Sequence, residues 1–231
     1  MGTNKKSVGR QTSEQRAEER RVAQAKATAE RKARNKKILI GAGAVLVVAL
    51  IPLIMYFAGA FSKPDKYLVE IDVQNYGVIT VELDRTAAPI TVDNFVKLAK
   101  SGFYDGLTFH RIIEGFMIQG GDPEGTGAGG SAASIKGEFP SNGVNNPLKH
   151  TRGTISMART SVDKNSASSQ FFIVHQDATA SLDGDYAAFG HVTSGMEFVD
   201  AIATDATPIE GTDGLIAAAE QPIMNSVRVV E

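Results

Sequence analysis

Residues 67–231 alternate between two periods of hydrophobicity. "YLVEIDVQNYGVITVEL", residues 67–83, places aliphatic and polar side chains alternately on both sides of Asn75-Tyr76-Gly77. A period of two broken by a Gly-containing turn predicts a β-hairpin. Over residues 88–104 the period lengthens: Val92, Phe95, Val96 and Leu98–Ala99 form a helical apolar stripe after Pro89, and Gly102 supplies a stop. Strand-like runs return at 107–113, 116–119, 153–158, 170–175 and 187–193, and the chain closes on the strand "IMNSVRVVE". A second helix is predicted to open at Ser194-Gly195-Met196-Glu197, read as a capping box, and to run through Phe198, Val199, Ala201 and Ile202. About eight short strands and two helices in roughly 165 residues leave no helix between each strand pair, which argues against a parallel βαβ sheet. Closure removes exposed strand edges, so the expected architecture is mostly β: a closed eight-stranded antiparallel β-barrel capped by two α-helices.

Ahead of this region the pattern is unbroken. "ILIGAGAVLVVALIPLIMYFAGAF", residues 38–61, carries no charge. A helix of about 20 such residues crosses a ~30 Å hydrocarbon core, and Pro52 is tolerated in a span. One transmembrane helix is therefore expected. The flank "RKARNKK" puts the N-terminus in the cytoplasm and the remainder outside it. The run reads as an uncleaved signal anchor, with cleavage after Ala60 as the alternative. The resulting divisions are a basic cytoplasmic tail at 1–37, helical or disordered, the anchor at 38–61, a linker at 62–66 and a domain at 67–231.

Charge supports that division. The formal net charge of −2 averages two opposed parts. Residues 1–37 hold twelve basic and four acidic residues, net +8, leaving 12 of the chain's 24 basic residues against 22 of its 26 acidic ones, net −10, in the rest. The basic tail has no aromatic residue on which bases could stack, so it reads as a topology signal and no nucleic-acid partner is expected. The chain has no cysteine, which excludes disulfides, thiol nucleophiles and cysteine-based metal sites.

Several local patterns carry no chemistry. "GTGAGG", residues 125–130, satisfies G-x-G-x-x-G but lacks the strand before and helix after that a nucleotide site needs, so it reads as a loop. His110, His150, His175 and His191 show no metal-ligand spacing. The serines of "NSASSQ", 165–170, have no nucleophile elbow, and "LDGDY", 182–186, has too few ligands for a calcium loop. What remains is "TFHRIIEGFMIQGGD", 108–122, with "SMARTSVDKNSASSQFFIVH", 156–175, and "SLDGDYAAFGHV", 181–192. Phe116, Met117, Phe172 and Leu182 are candidates for an apolar pocket, with Arg111, Gln119 and Gln170 as donors at its rim. On the residues alone, a barrel core with polar strand ends stays open as the alternative.

These stretches resemble the cyclophilin family of peptidyl-prolyl isomerases. The likeness rests on "FHRIIEGFMIQGGD" (109–122), "GEFP" (137–140), "LKHTRGTISMAR" (148–159), "SQFFI" (169–173), "LDG" (182–184) and "FGHV" (189–192), in order. It implies a cyclophilin-like barrel with a helix over each open end. It also implies a peptidyl-prolyl cis-trans isomerase acting on proline-containing polypeptides, with no cofactor. By the resemblance, Arg111 is catalytic and Gln119 braces it or bonds the substrate backbone. Phe116, Met117, Phe172 and Leu182 grip the proline ring. Ala158 and Arg159 meet the peptide main chain, with Gln170 and Tyr186 along the groove. The chain departs from the family at Arg159, often Asn elsewhere, at Tyr186, where many members have His, and in the loop 123–134. Ser181 stands where many members carry a tryptophan that helps hold cyclosporin, so weak binding of that drug is expected. With the anchor, the expectation is an isomerase of the cell membrane facing extracytoplasmic proteins. A peptide-binding chaperone or scaffold is the alternative.

Overall fold

The computed structural model describes residues 16, 18, 20–22, 24–36 and 63–230. The expected membrane span at 38–61 lies outside the described residues; among those described, no helix is long and apolar enough to cross a membrane. The chain divides into two units, residues 1–63 and 64–231. In the first, residues 20–22 and 24–36 are helical and exposed.

The second unit opens with the hairpin of β1, Lys66–Val73, and β2, Gly77–Asp84. Val69 faces Val81 and Ile71 faces Ile79, all fully buried, while the alternate positions face outward. The turn needs left-handed backbone at Asn75 (φ 68°) and Gly77 (φ 140°). Gly77 also lies under the Phe198 ring, where an added Cβ would sit 2.6 Å from Cζ. Helix α1, Pro89–Lys100, buries Val92, Phe95, Val96 and Ala99. Phe95 lies 5.0 Å from the Tyr104 ring and 5.3 Å from those of Phe171 and Phe189, at the centre of the main core.

The remaining strands are β3, Thr108–Ile113; β4, Met117–Asp122; β5, Thr154–Met157; β6, Phe171–Val174; β7, Ala187–Ser194; and β8, Met224–Val229. A one-turn helix α2, Thr179–Leu182, was not anticipated; α3 is Met196–Asp205. The capping box expected at Ser194 does not form. Ser194 is the last residue of β7, paired with Thr80, and Gly195 at φ 85° turns the chain into α3 with no side-chain cap. Strand pairing has taken the residue that would have capped.

All strand pairs are antiparallel, in the order β3-β4-β6-β5-β7-β2-β1-β8. The expected closed barrel is corrected to a curled, open eight-stranded sheet. Its end strands β3 and β8 meet only around Thr108 and Ile223, where Phe109 N–H donates to Pro222 O and Met224 N–H to Leu107 O. Beyond that point β8 pairs with β1, and a loop covers the edge of β3: Ile112 N–H donates to Gly214 O and Ile216 N–H to His110 O. A covered edge removes the aggregation hazard as closure would.

Candidate active site

Strand alternation builds a second hydrophobic cluster separate from the main core. Ile118, Phe171 and Ile173 belong to the main core; Met117, Phe172 and Val174 point the other way, joined by Ala178 and Leu182, with Ile113, Phe116, Ala158 and Tyr186 against them. β4 and β6 are therefore covered on both faces, which is why "FFIV" reads as a continuous apolar run. On the same face, Arg111 pairs with Gln119 across β3–β4, and Gln119 with Phe172 across β4–β6.

Arg111, Phe116, Met117, Gln119, Ala158, Arg159, Phe172, Leu182 and Tyr186 line one cavity of about 180 Å³. Arg111 Nη1 donates to Gln119 Oε1 at 3.1 Å and lies 3.8 Å from Met117 Sδ. Gln170, the remaining sequence candidate, stands behind this wall and accepts from Gln119 Nε2 at 2.8 Å. Tyr186 meets Phe172 edge-on at 6.0 Å. Arg159 Cζ sits 4.7 Å from the Tyr186 ring and 5.4 Å from that of Phe139. Ser181 is exposed.

Three supports escaped the sequence reading. Asp213, from the loop covering β3, accepts Arg111 Nη2 on Oδ2 at 2.5 Å and Arg111 Nε on its backbone oxygen at 2.7 Å. Nothing local marks Asp213, which lies 102 residues from Arg111. Asp122 is buried and gathers the loop "GTGAGG": its carboxylate accepts from the backbone N–H of Glu124, Thr126, Gly127 and Gly129. Burial pushes this carboxyl up, but those N–H groups outweigh it and hold it below the ordinary range. Gln170 Nε2 donates to Gly127 O and Gly129 O, so a hydrogen-bonded line runs from the loop through Gln170 and Gln119 to Arg111. The motif "QGGD" contained the signal for Asp122, an aspartate entering a glycine-rich turn.

The third support underlies Phe172. His150 stacks on its ring at 6.1 Å; Nδ1 lies 2.9 Å from Asp183 Oδ1 and Nε2 2.9 Å from Ser156 Oγ. This Ser–His–Asp line has the order of a hydrolytic triad, yet Ser156 is fully buried and no substrate reaches its oxygen. Its effect is to set the height and tilt of the pocket floor.

An apolar concavity with a braced guanidinium at its rim and amide donors beside it defines a peptide or small-ligand site. Residues 68–229 match the family described as cyclophilin type peptidyl-prolyl cis-trans isomerase/CLD. The chain is 52% identical over 120 residues to peptidyl-prolyl cis-trans isomerase B of Bacillus subtilis (strain 168), covering 52% of this chain and 79% of that protein. It is 51% identical over 120 residues to a peptidyl-prolyl cis-trans isomerase of Helicobacter pylori strain J99, covering 52% and 70% respectively. Among solved structures, a Cryptosporidium parvum cyclophilin type peptidyl-prolyl cis-trans isomerase, crystallised in the presence of the dipeptide Ala-Pro, superposes with a TM-score of 0.62 at 32% identity, covering 71% of this chain and 99% of that one. The chain belongs to the cyclophilin-type peptidyl-prolyl cis-trans isomerases, and its activity is that of a prolyl isomerase.

Proposed function

We propose that the 180 Å³ cavity seats the proline ring and that Arg111 is the catalytic group, in an isomerase anchored in the cell membrane and acting on extracytoplasmic polypeptides. The observation carrying this is the placement of the Arg111 guanidinium, braced by Gln119 and Asp213, at the rim of the Met117–Phe172–Leu182 pocket.

Rotation about an X–Pro bond faces a barrier of about 18–20 kcal/mol from amide resonance, while cis and trans differ by only about 0.5–1 kcal/mol. A catalyst therefore has to favour the twisted amide over both planar forms. In the twisted form the prolyl nitrogen regains its lone pair and accepts a hydrogen bond. A permanently charged, forked donor held beside an apolar pocket stabilises that acceptor more than the planar ground state. Excluding water around the ring strengthens the bond. Gln119 and Asp213 hold the fork in place, so little reorganisation accompanies the reaction. Ala158 and Arg159 meet the substrate main chain, and Gln170 and Tyr186 complete the groove.

The test is cis-to-trans relaxation of an X–Pro peptide with Arg111→Ala and Arg111→Lys beside the wild type. We expect fast relaxation in the wild type, a loss of about 10²-fold or more in Arg111→Ala, and only partial recovery with lysine, which lacks the fork. Relaxation at the uncatalysed rate in the wild type, with peptide binding intact, would leave a peptide-binding module instead. With Ser181 in place of tryptophan, cyclosporin inhibition is expected to be weak and to strengthen in Ser181→Trp; equal inhibition of the two proteins would remove Ser181 as the cause.

A further inference from the structure

Beside the proline pocket lies a larger cavity of about 370 Å³, sharing Gln119, Ala158 and Arg159 with it. Its other walls are small and neutral: the glycines of 127–130, Ser131, Thr160, Ser166 and Ser168 among them. Arg159 stands on the partition and is the one formally charged side chain lining the second cavity.

Among the described residues no carboxylate pairs with that charge. Residues 63–230 contain five arginines. Arg85, Arg111, Arg152 and Arg228 each hold a carboxylate, from Asp93, Asp213, Asp200 and Asp105. Among the described residues Arg159 alone of the five has no salt bridge. Its partners are uncharged groups: Nε donates to Asp185 O at 2.9 Å, Nη1 to Thr160 O at 2.8 Å and Ser161 O at 3.4 Å, and the Tyr186 and Phe139 rings flank it. The side chains of Asp185, whose backbone oxygen Arg159 meets, and of Asp163, four residues on, are engaged elsewhere. Asp185 accepts from Ser141 Oγ at 2.6 Å, and Asp163 from Asn165 N–H at 2.8 Å. Two rings and three carbonyls thus hold a guanidinium still at a polar cavity, with no carboxylate among these partners.

We propose that Arg159 makes this enzyme selective for substrates bearing an acidic side chain close to the proline. The proposal rests on the reading that the adjoining pocket seats the proline. A chain seated there continues past Arg159, and a carboxylate on it completes the missing ion pair while the serine and threonine hydroxyls supply further donors. Charge-assisted hydrogen bonds are roughly twice as strong as neutral ones, and a pre-positioned arginine loses less side-chain entropy than a free one. Arg159 is only half-buried, so screening keeps the effect modest, at about fivefold. Residues 38–231 carry a net charge of −10, so attraction of an acidic peptide has to be local.

The experiment compares kcat/KM of the full-length chain, in detergent, for paired peptides with Glu or Gln placed singly at each of three positions before the proline and two after it. We expect a Glu-over-Gln preference of about fivefold at one position or more. It should fall to one or below in Arg159→Gln and persist in part in Arg159→Lys. Each comparison is a ratio within one variant, so a general loss of activity through Tyr186 cancels. Equal kcat/KM for Glu and Gln at every position overturns the proposal, as does a Glu preference surviving Arg159→Gln. Failure of the wild type to isomerise even the Gln peptides is a different result, which overturns the proline-pocket reading itself.

Discussion

Arg111 is a charged side chain with apolar neighbours in sequence, and such a group has to find partners. It finds Gln119 across the β3–β4 pair and Asp213 in the covering loop. The first partner was legible, because both residues sit in one short motif; the second depends on chain folding back over β3. Two other single residues carry a pH dependence. His110 and His150 are buried, and burial pushes both imidazoles below the ordinary value of 6.5. Among the described residues neither His110 ring nitrogen has a partner within hydrogen-bond geometry, although Gln170 lies close enough to offset part of the effect of burial. As pH falls through 6.5 the unfolded chain therefore takes up protons before the folded one, and linkage makes stability fall with it. We expect urea unfolding to show a loss of stability from pH 7 to pH 5, and His110→Asn to flatten part of that slope. An equally steep slope in the variant would count against His110. The depressed Asp122 carboxyl acts in a separate, more acid window, its contribution being lost only below its ordinary value of 3.8.

At the scale of elements, local pattern and long-range contacts divide the work at helix ends. Pro89 and the apolar stripe start α1 from within its own sequence. Its cap does not come from there: Ala88 offers no side-chain acceptor. Glu138, 47 residues beyond Thr91 and almost wholly buried, accepts from Ile90 N–H at 3.1 Å, Thr91 N–H at 2.8 Å and Thr91 Oγ1 at 2.7 Å. This explains the glutamate of "GEFP": it is an anion at a helix N-terminus, satisfying orphan donors and facing the positive end of the dipole. Glu138→Ala should cost about 2–3 kcal/mol in chemical denaturation, because it leaves buried donors unmet. Glu138→Gln should cost less. A change under about 0.5 kcal/mol, the scale of neutral surface substitutions, would mean that water replaces the carboxylate.

For the whole molecule, the charge asymmetry and the apolar run at 38–61 define the topology we propose. Protease added outside the cytoplasmic membrane should digest residues 64–231 while the basic tail stays protected. Protection of the folded domain, or its recovery in the soluble fraction, would count against an anchored extracytoplasmic enzyme. Within the domain, the sheet curls without closing because its end strands have different neighbours. β8 is drawn to β1, and β3 is covered by the loop that also delivers Asp213.

The hairpin at 66–84, the helical stripe of α1 and the positions of the later strands were determined by the sequence alone, while the pocket residues of "FHRIIEGFMIQ" were candidates that the family resemblance singled out. In each the signal is a periodicity or a cluster within about a dozen residues, the range over which backbone geometry fixes which side chains share a face. Tertiary structure decided the sheet's open edge, the loss of the Ser194 cap to strand pairing, the Glu138 and Asp213 contacts, and the lack of a salt bridge to Arg159 among the described residues. These depend on which distant segments end as neighbours. A single charged or polar residue carries no periodicity, so its partner becomes visible only once the chain has folded.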